Sequence, residues 1–105
     1  MTSAKLIVAY PPPKDVDAFE AVYQKEHVPM AIANLDGKTK IVATKLVQSQ
    51  GVPFYRIAEV HFPSMEALQR CAGSAGGKAT LAHAAKISSG GPPVIMVAEE
   101  DTFTF

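Results

Sequence analysis

Phe54-Tyr-Arg-Ile-Ala-Glu-Val-His-Phe62 is the stretch from which the fold can be worked out. In an extended chain, alternation puts Phe54, Arg56, Ala58, Val60 and Phe62 on one face and Tyr55, Ile57, Glu59 and His61 on the other. Both faces carry apolar groups, so this strand is expected to be central and covered on both sides. Working toward the N-terminus, Gln50-Gly51-Val52-Pro53 reads as a connection and residues 39–48 as a neighbouring strand. Toward the C-terminus, Ser64 stands where an N-cap belongs, with Glu66 and Ala67 in the first turn of a helix. That helix is expected to break at Gly73-Ser-Ala-Gly-Gly77, with a short one resuming through Leu81 to Ile87.

The ends complete the pattern. Residues 4–10 form an apolar run stopped by Pro11, Pro12 and Pro13, which reads as a buried strand. Asp15 then offers an N-cap carboxylate, and Val16, Phe19, Tyr23, His27 and Met30 follow at spacings of three and four, one helical stripe. Pro29 cannot donate to the turn before it and pushes Val28 away from helical dihedrals. The expectation is a helix over 15–27 and a separate turn through Met30 to Asn34. Val94 to Ala98 is the last strand, followed by a polar tail.

The order β-α-β-β-α-β with right-handed crossovers gives an α+β, ferredoxin-like domain: a four-stranded antiparallel sheet with both helices on one face. At 105 residues there is room for one domain, 1–105, which buries roughly 65% of its unfolded-chain surface. No element is left to cover the sheet's second face, so a second copy is expected there, making a homodimer. Ten basic residues balance ten acidic ones and lie scattered, which excludes the basic face of a nucleic-acid binder. No run is long enough to span a bilayer, and the apolar run at the N-terminus is too short for a leader. A single cysteine, Cys71, excludes an internal disulfide and fits a cytoplasmic, reducing setting.

Phe19-x3-Tyr23-x3-His27-x-Pro29, a first strand ending in Tyr10, and Ala58-Glu-Val-His-Phe62-x-Ser64-x-Glu66-Ala-Leu68 resemble the EthD family, named for a member linked to ethyl tert-butyl ether degradation. Ser88-Ser-Gly-Gly91 before the last strand fits as well. The resemblance spans roughly residues 4–100 and implies a dimeric α+β barrel. It departs from the common family pattern at His61, Ala85 and Ile87. The family includes members of no assigned activity beside decarboxylase-like and dehydratase-like enzymes, so the resemblance implies the fold more sharply than the reaction.

His27 is the leading candidate for chemistry. At the end of its helix the dipole would favour imidazolium, letting the ring titrate near neutral pH and move protons; alternatively it caps freed carbonyls and closes the core. Glu59 is the second candidate, since a carboxylate in a central strand needs a partner. The rise per residue puts Glu59 near the level of His27, where it would orient a general base, and His61 nearer Phe19. If the Glu59 face looks away from the helices, Glu59 is an interface residue instead. A cavity lined by Tyr10, Phe19, Tyr23 and Met30, with His61 and Leu68 as further members, would take a small hydrophobic molecule. His27, Glu59 and His61 as a metal set lack a supporting i, i+4 pair, and no metal site is assigned. His83 reads as solvated. Gly73 to Thr80 fails as a phosphate loop, because Gly73 to Lys78 is one residue short and Ala79 holds the hydroxyl position. No cofactor motif is present, which leaves proton transfer, decarboxylation, dehydration or cofactor-free oxygen chemistry. The alternatives are a non-catalytic binding or accessory dimer and a haem-binding module using the helix histidine.

Overall fold

A computed structural model describes residues 2–47 and 51–105. Its elements are strand β1 (Ser3–Tyr10), helix α1 (Val16–Val22), a π-helical turn (Tyr23–His27), helix α2 (Val28–Asn34), strands β2 (Lys40–Lys45) and β3 (Arg56–Phe62), helices α3 (Met65–Ala72) and α4 (Ala75–Ile87), and strand β4 (Val94–Glu100). The sheet runs β2-β3-β1-β4 with every neighbouring pair antiparallel, the ferredoxin-like arrangement expected. β3 is internal, as its two apolar faces require. Gln48 and Gln50, assigned to the end of the second strand and to the connection after it, lie outside the described residues.

The caps are where the sequence puts them. The Asp15 carboxylate accepts from the Ala18 amide at 3.0 Å and Ser64 Oγ from the Ala67 amide at 3.1 Å. Pro29, however, does not break the first helix. The Val28 amide reaches back five residues to the Tyr23 carbonyl, His27 and Val28 keep helical dihedrals, and α2 runs on to Asn34. Widening the helix into a π turn absorbs the proline, which has no amide hydrogen and would crowd the carbonyl four residues before it. The separate turn expected through Met30 to Asn34 is therefore an α-helix.

One extra residue in that turn changes what faces the sheet. The buried line is Phe19, Tyr23, His27, Ala31 and Leu35, each four apart, whereas Met30 is only half-buried. In a plain α-helix each four-residue step drifts about 40° around the axis, so a line this long would leave the core.

The second helical region also differs from expectation. The break is confined to Gly73 and Ser74. Ser74 Oγ caps α4 by accepting from Gly77 N at 3.0 Å, and α4 takes in both Gly76 and Gly77. Both glycines are needed for close approach. A Cβ on Gly77 would collide with the Cys71 backbone carbonyl, and one on Gly76 with the carbonyl of Asn34. Packing α4 this tightly against the ends of α2 and α3 brings its Thr80 and Ala84 into the core.

The helix face of the sheet holds Ala4, Leu6, Val8 and Tyr10 from β1 beside Val60 and Phe62 from β3. At its β1 C-terminal end, Arg56 makes a two-pronged pair with Glu20, Nε to Oε2 at 2.9 Å and Nη2 to Oε1 at 2.6 Å, and lies 4.9 Å over the Tyr23 ring. The guanidinium holds the Glu20 carboxyl below the ordinary range, and the pair clamps the start of the aromatic row.

The Gly77 contact gives a direct test. Gly77→Ala should lower unfolding free energy in urea by about 2–3 kcal/mol, because the opposing atom is backbone and cannot swing aside. An unchanged urea midpoint would mean that α3 and α4 are not held this close.

Candidate functional site

Between the helix face of the sheet and the helices lies a narrow apolar cavity of about 40 Å³. Leu6, Val8 and Tyr10 form its floor from β1, and Ala58 and Val60 from β3. Tyr23, His27, Val28, Ala31 and Leu35 line it from the first helical stretch, and Thr80, Leu81 and Ala84 from α4. Of the residues singled out for a pocket, Tyr10 and Tyr23 border it. Phe19 packs behind them, its ring 5.3 Å from that of Tyr10 and 5.5 Å from that of Tyr23. Met30 is not in the wall, because the π turn rotates it off the buried line, and Leu68 belongs to the neighbouring part of the core.

His27 borders the cavity and is 7% exposed. Its Nε2 is 3.2 Å from the Tyr10 hydroxyl and its Nδ1 is 2.9 Å from Nδ1 of His83. The His27 and His83 rings lie nearly parallel, 10° apart, and Tyr23 stacks on His27 at a centroid distance of 5.8 Å. Both ring nitrogens thus have side-chain partners, and neither caps a backbone carbonyl. Since the helix continues past His27, no helix end stands there to favour a positive ring. Burial, with the His83 ring adding to it, pulls the His27 pKa down to about 4, opposite to the near-neutral titration expected. Burial also pushes the Tyr10 phenol well above its ordinary range, so it keeps its proton.

Expected as a solvated residue, His83 is instead half-buried against His27. The signal for it was present: Thr80, His83, Ala84 and Ile87 are spaced i, i+3, i+4, i+7, one helix face. It becomes readable only once α4 is known to begin at Ala75.

Glu59 and His61 are on the opposite face of the sheet. Register sets Glu59 beside Ile7 and Val42, and His61 beside Lys5 and Lys40, all pointing away from the helices. A Glu59–His27 pair is therefore not assembled, nor is any metal set that includes His27. Phe19 lies at the Tyr10 and Tyr55 end of the sheet, not near His61. Glu59 accepts from Lys5 Nζ at 2.6 Å, and the same ammonium reaches Glu100 at 3.1 Å, while His61 lies 3.4 Å from Glu100 and 3.7 Å from Glu59. Glu59, His61 and Glu100 have ligand atoms within 4.8 Å of one another, as a metal site would. The Lys5 ammonium already supplies the positive charge between the two carboxylates. A haem does not fit the residues around His27: the cavity is too small for a porphyrin, and both ring nitrogens are engaged.

The pKa of His27 carries a sign for stability. The unfolded ring binds its proton near pH 6.5 and the folded ring near 4, so acid favours the unfolded chain across that window. Stability should fall by about 1–3 kcal/mol between pH 7 and pH 4 from this group alone. His27→Gln should flatten that part of the urea-midpoint profile, and an identical slope in the variant would remove the assignment.

No family model and no curated protein matches the chain. Solved structures do match. An ethyl tert-butyl ether degradation (EthD) family protein from Bacillus halodurans is 29% identical, with a TM-score of 0.84 over 94% of this chain and 99% of that one. A dimeric protein of ferredoxin-like fold from Bacteroides fragilis is 13% identical, with a TM-score of 0.64 over 94% and 96%. SnoaB from Streptomyces nogalater, a cofactor-independent oxygenase, is 11% identical, with a TM-score of 0.59 over 98% and 95%. The last two share the fold alone. Among the described residues no helix is long and apolar enough to cross a membrane. In fold over nearly its whole length, and in sequence to the extent of the Bacillus halodurans protein, this chain is similar to the EthD family.

Proposed function

We propose that the chain binds a small hydrophobic molecule in the cavity between sheet and helices, and that His27 and Tyr10 move a proton there. The observation that carries this reading is a neutral histidine in an apolar cavity wall, hydrogen-bonded to a tyrosine that has no other side-chain partner among the described residues. A purely structural histidine would have both ring nitrogens satisfied by backbone or side chains, as His27 has through Tyr10 and His83, but would lack the adjoining cavity. The reactions that suit such a pair are proton transfer, decarboxylation, dehydration or cofactor-free oxygen chemistry. The likeness to a cofactor-independent oxygenase is one of fold and leaves that choice to experiment. Glu59 and His61 have no part in this chemistry; their place is the open face.

A second reading is a binding or accessory protein without turnover. Two observations favour it: both nitrogens of His27 are already hydrogen-bonded, and the cavity as it stands holds little more than a few waters. Native mass spectrometry of freshly purified protein separates these readings. The wild type should carry a co-purified small molecule, and His27→Ala should lose it while remaining folded. A variant that keeps the molecule but is less stable by about 1–3 kcal/mol would leave His27 a packing residue. A wild-type spectrum of bare protein would count against both ligand readings.

The working unit is proposed to be a homodimer formed through the open face. That face carries Ile7, Ile57, Val42 and Met96 beside the Lys5 charge cluster, and Val42, Val94 and Met96 are exposed in the single chain. The single cysteine suits a cytoplasmic setting. Sedimentation equilibrium at micromolar concentration should give twice the chain mass, and Met96→Asp should give a folded monomer. A wild-type monomer would refute the interface.

A further inference from the structure

Tyr10, His27 and His83 lie in one row that crosses from the middle of the core toward the surface. Tyr10 is 0% exposed, His27 is 7% exposed, and His83 on α4 is half-buried. The contacts are short and continuous: hydroxyl to Nε2 at 3.2 Å, then Nδ1 to Nδ1 at 2.9 Å. Two facing Nδ1 atoms can share only one hydrogen, so the two rings must be in opposite tautomers. We infer that these three side chains form a single proton file, and that His83 is the port through which the buried pair exchanges protons with solvent.

This inference rests on the proton-transfer reading above and adds the route. In one polarity the Tyr10 hydroxyl donates to His27 Nε2, His27 Nδ1–H donates to His83 Nδ1, and His83 carries its hydrogen on Nε2. A proton taken by the Tyr10 oxygen from a bound C–H or O–H is matched step by step. The Tyr10 proton passes to His27 Nε2, the His27 Nδ1 proton to His83 Nδ1, and the His83 Nε2 proton to water. Every ring ends neutral, no electron changes hands, and one proton has moved from the bound molecule to solvent. The file is left in the opposite polarity, with His83 Nδ1–H now donating inward. Running it backward returns one proton from water to the bound molecule and resets the row.

A file that must be reset after each passage favours reactions in which a proton is removed at one atom and returned at another. The substrate class is therefore a small apolar compound with an acidic C–H or O–H, such as an enolisable carbonyl. Arg56 lies over the Tyr23 ring beside the row and is itself held by Glu20. The remaining walls are apolar apart from Thr80, whose hydroxyl donates to the Gly76 carbonyl at 2.7 Å, and His83 is the partner within hydrogen-bond distance of His27 Nδ1.

The test needs no ligand. In protein labelled with 15N at histidine, long-range proton–nitrogen spectra should show His27 and His83 in opposite tautomers. Exchange of the His27 ring N–H with water, read by saturation transfer, should slow on the order of tenfold or more in His83→Phe. That variant keeps a flat ring over His27, and His83→Gln should slow exchange equally while supplying a polar side chain. Free imidazole should restore the rate in His83→Gly, a response that loss of packing alone would not give. Exchange that is unchanged or faster in His83→Phe and His83→Gln, with amide spectra showing intact folds, would overturn the port. Because the readout is ligand-free, bare protein in the mass spectrum would defeat the ligand reading without touching this result.

Discussion

Pro29 has no amide hydrogen to give, and the first helix answers by taking in one extra residue over Tyr23–His27. Everything that meets in the cavity depends on that adjustment. Without it, a line of residues four apart would wind off the sheet within two or three turns. With it, Phe19, Tyr23, His27, Ala31 and Leu35 all stay buried, and His27 is held between Tyr10 beneath it and His83 beside it. A π turn is poorly bonded for its length, and it persists here because packing on both sides outweighs the loss. The aromatic row on one side and the tight approach of α4 on the other supply that packing.

The sheet divides the ionisable groups into two sets that never meet. On the helix face the polar atoms are neutral and hydrogen-bonded in a row, apart from the paired Arg56 and Glu20. On the open face Lys5 sits between Glu59 and Glu100, with His61 alongside. The split follows from the two-residue period of β3: Ala58, Val60 and Phe62 must face the helices to build the core, so Glu59 and His61 cannot. On the open face the cluster is partly solvated in the single chain, and burial of that face against a second copy would strengthen the interactions within it. Its charges would then set the register of two sheets meeting face to face.

Much of the architecture was legible because it rests on short-range chemistry. The strand runs, the caps at Asp15 and Ser64, and the β-α-β-β-α-β order follow from side-chain period, hydrogen-bonding reach and chain handedness. That Tyr23 and His27 share one buried stripe was legible in the same way, from spacing. That they and Tyr10 stand around a cavity was an expectation from the family resemblance, and Phe19, Met30, Leu68 and His61, expected with them, are not in its wall. The helix–glycine boundary was not. Gly76 and Gly77 read as breakers by propensity, yet they are helical because only a residue without Cβ lets α4 touch the carbonyls of Asn34 and Cys71.

What the sequence by itself determined was which residues lie in strands, which cap helices, and which side chains of β3 share a face. Only the tertiary structure decided which face was which for Glu59 and His61, since alternation assigns residues to sides without saying what covers each side. It alone decided that Pro29 would be absorbed and not obeyed, because the cost of a widened turn is weighed against contacts made by distant residues. It also set the protonation of His27, whose neutral state comes from burial beneath α4 and not from its place along its own helix. His83 is 56 positions from its partner, and no local pattern could have paired the two rings.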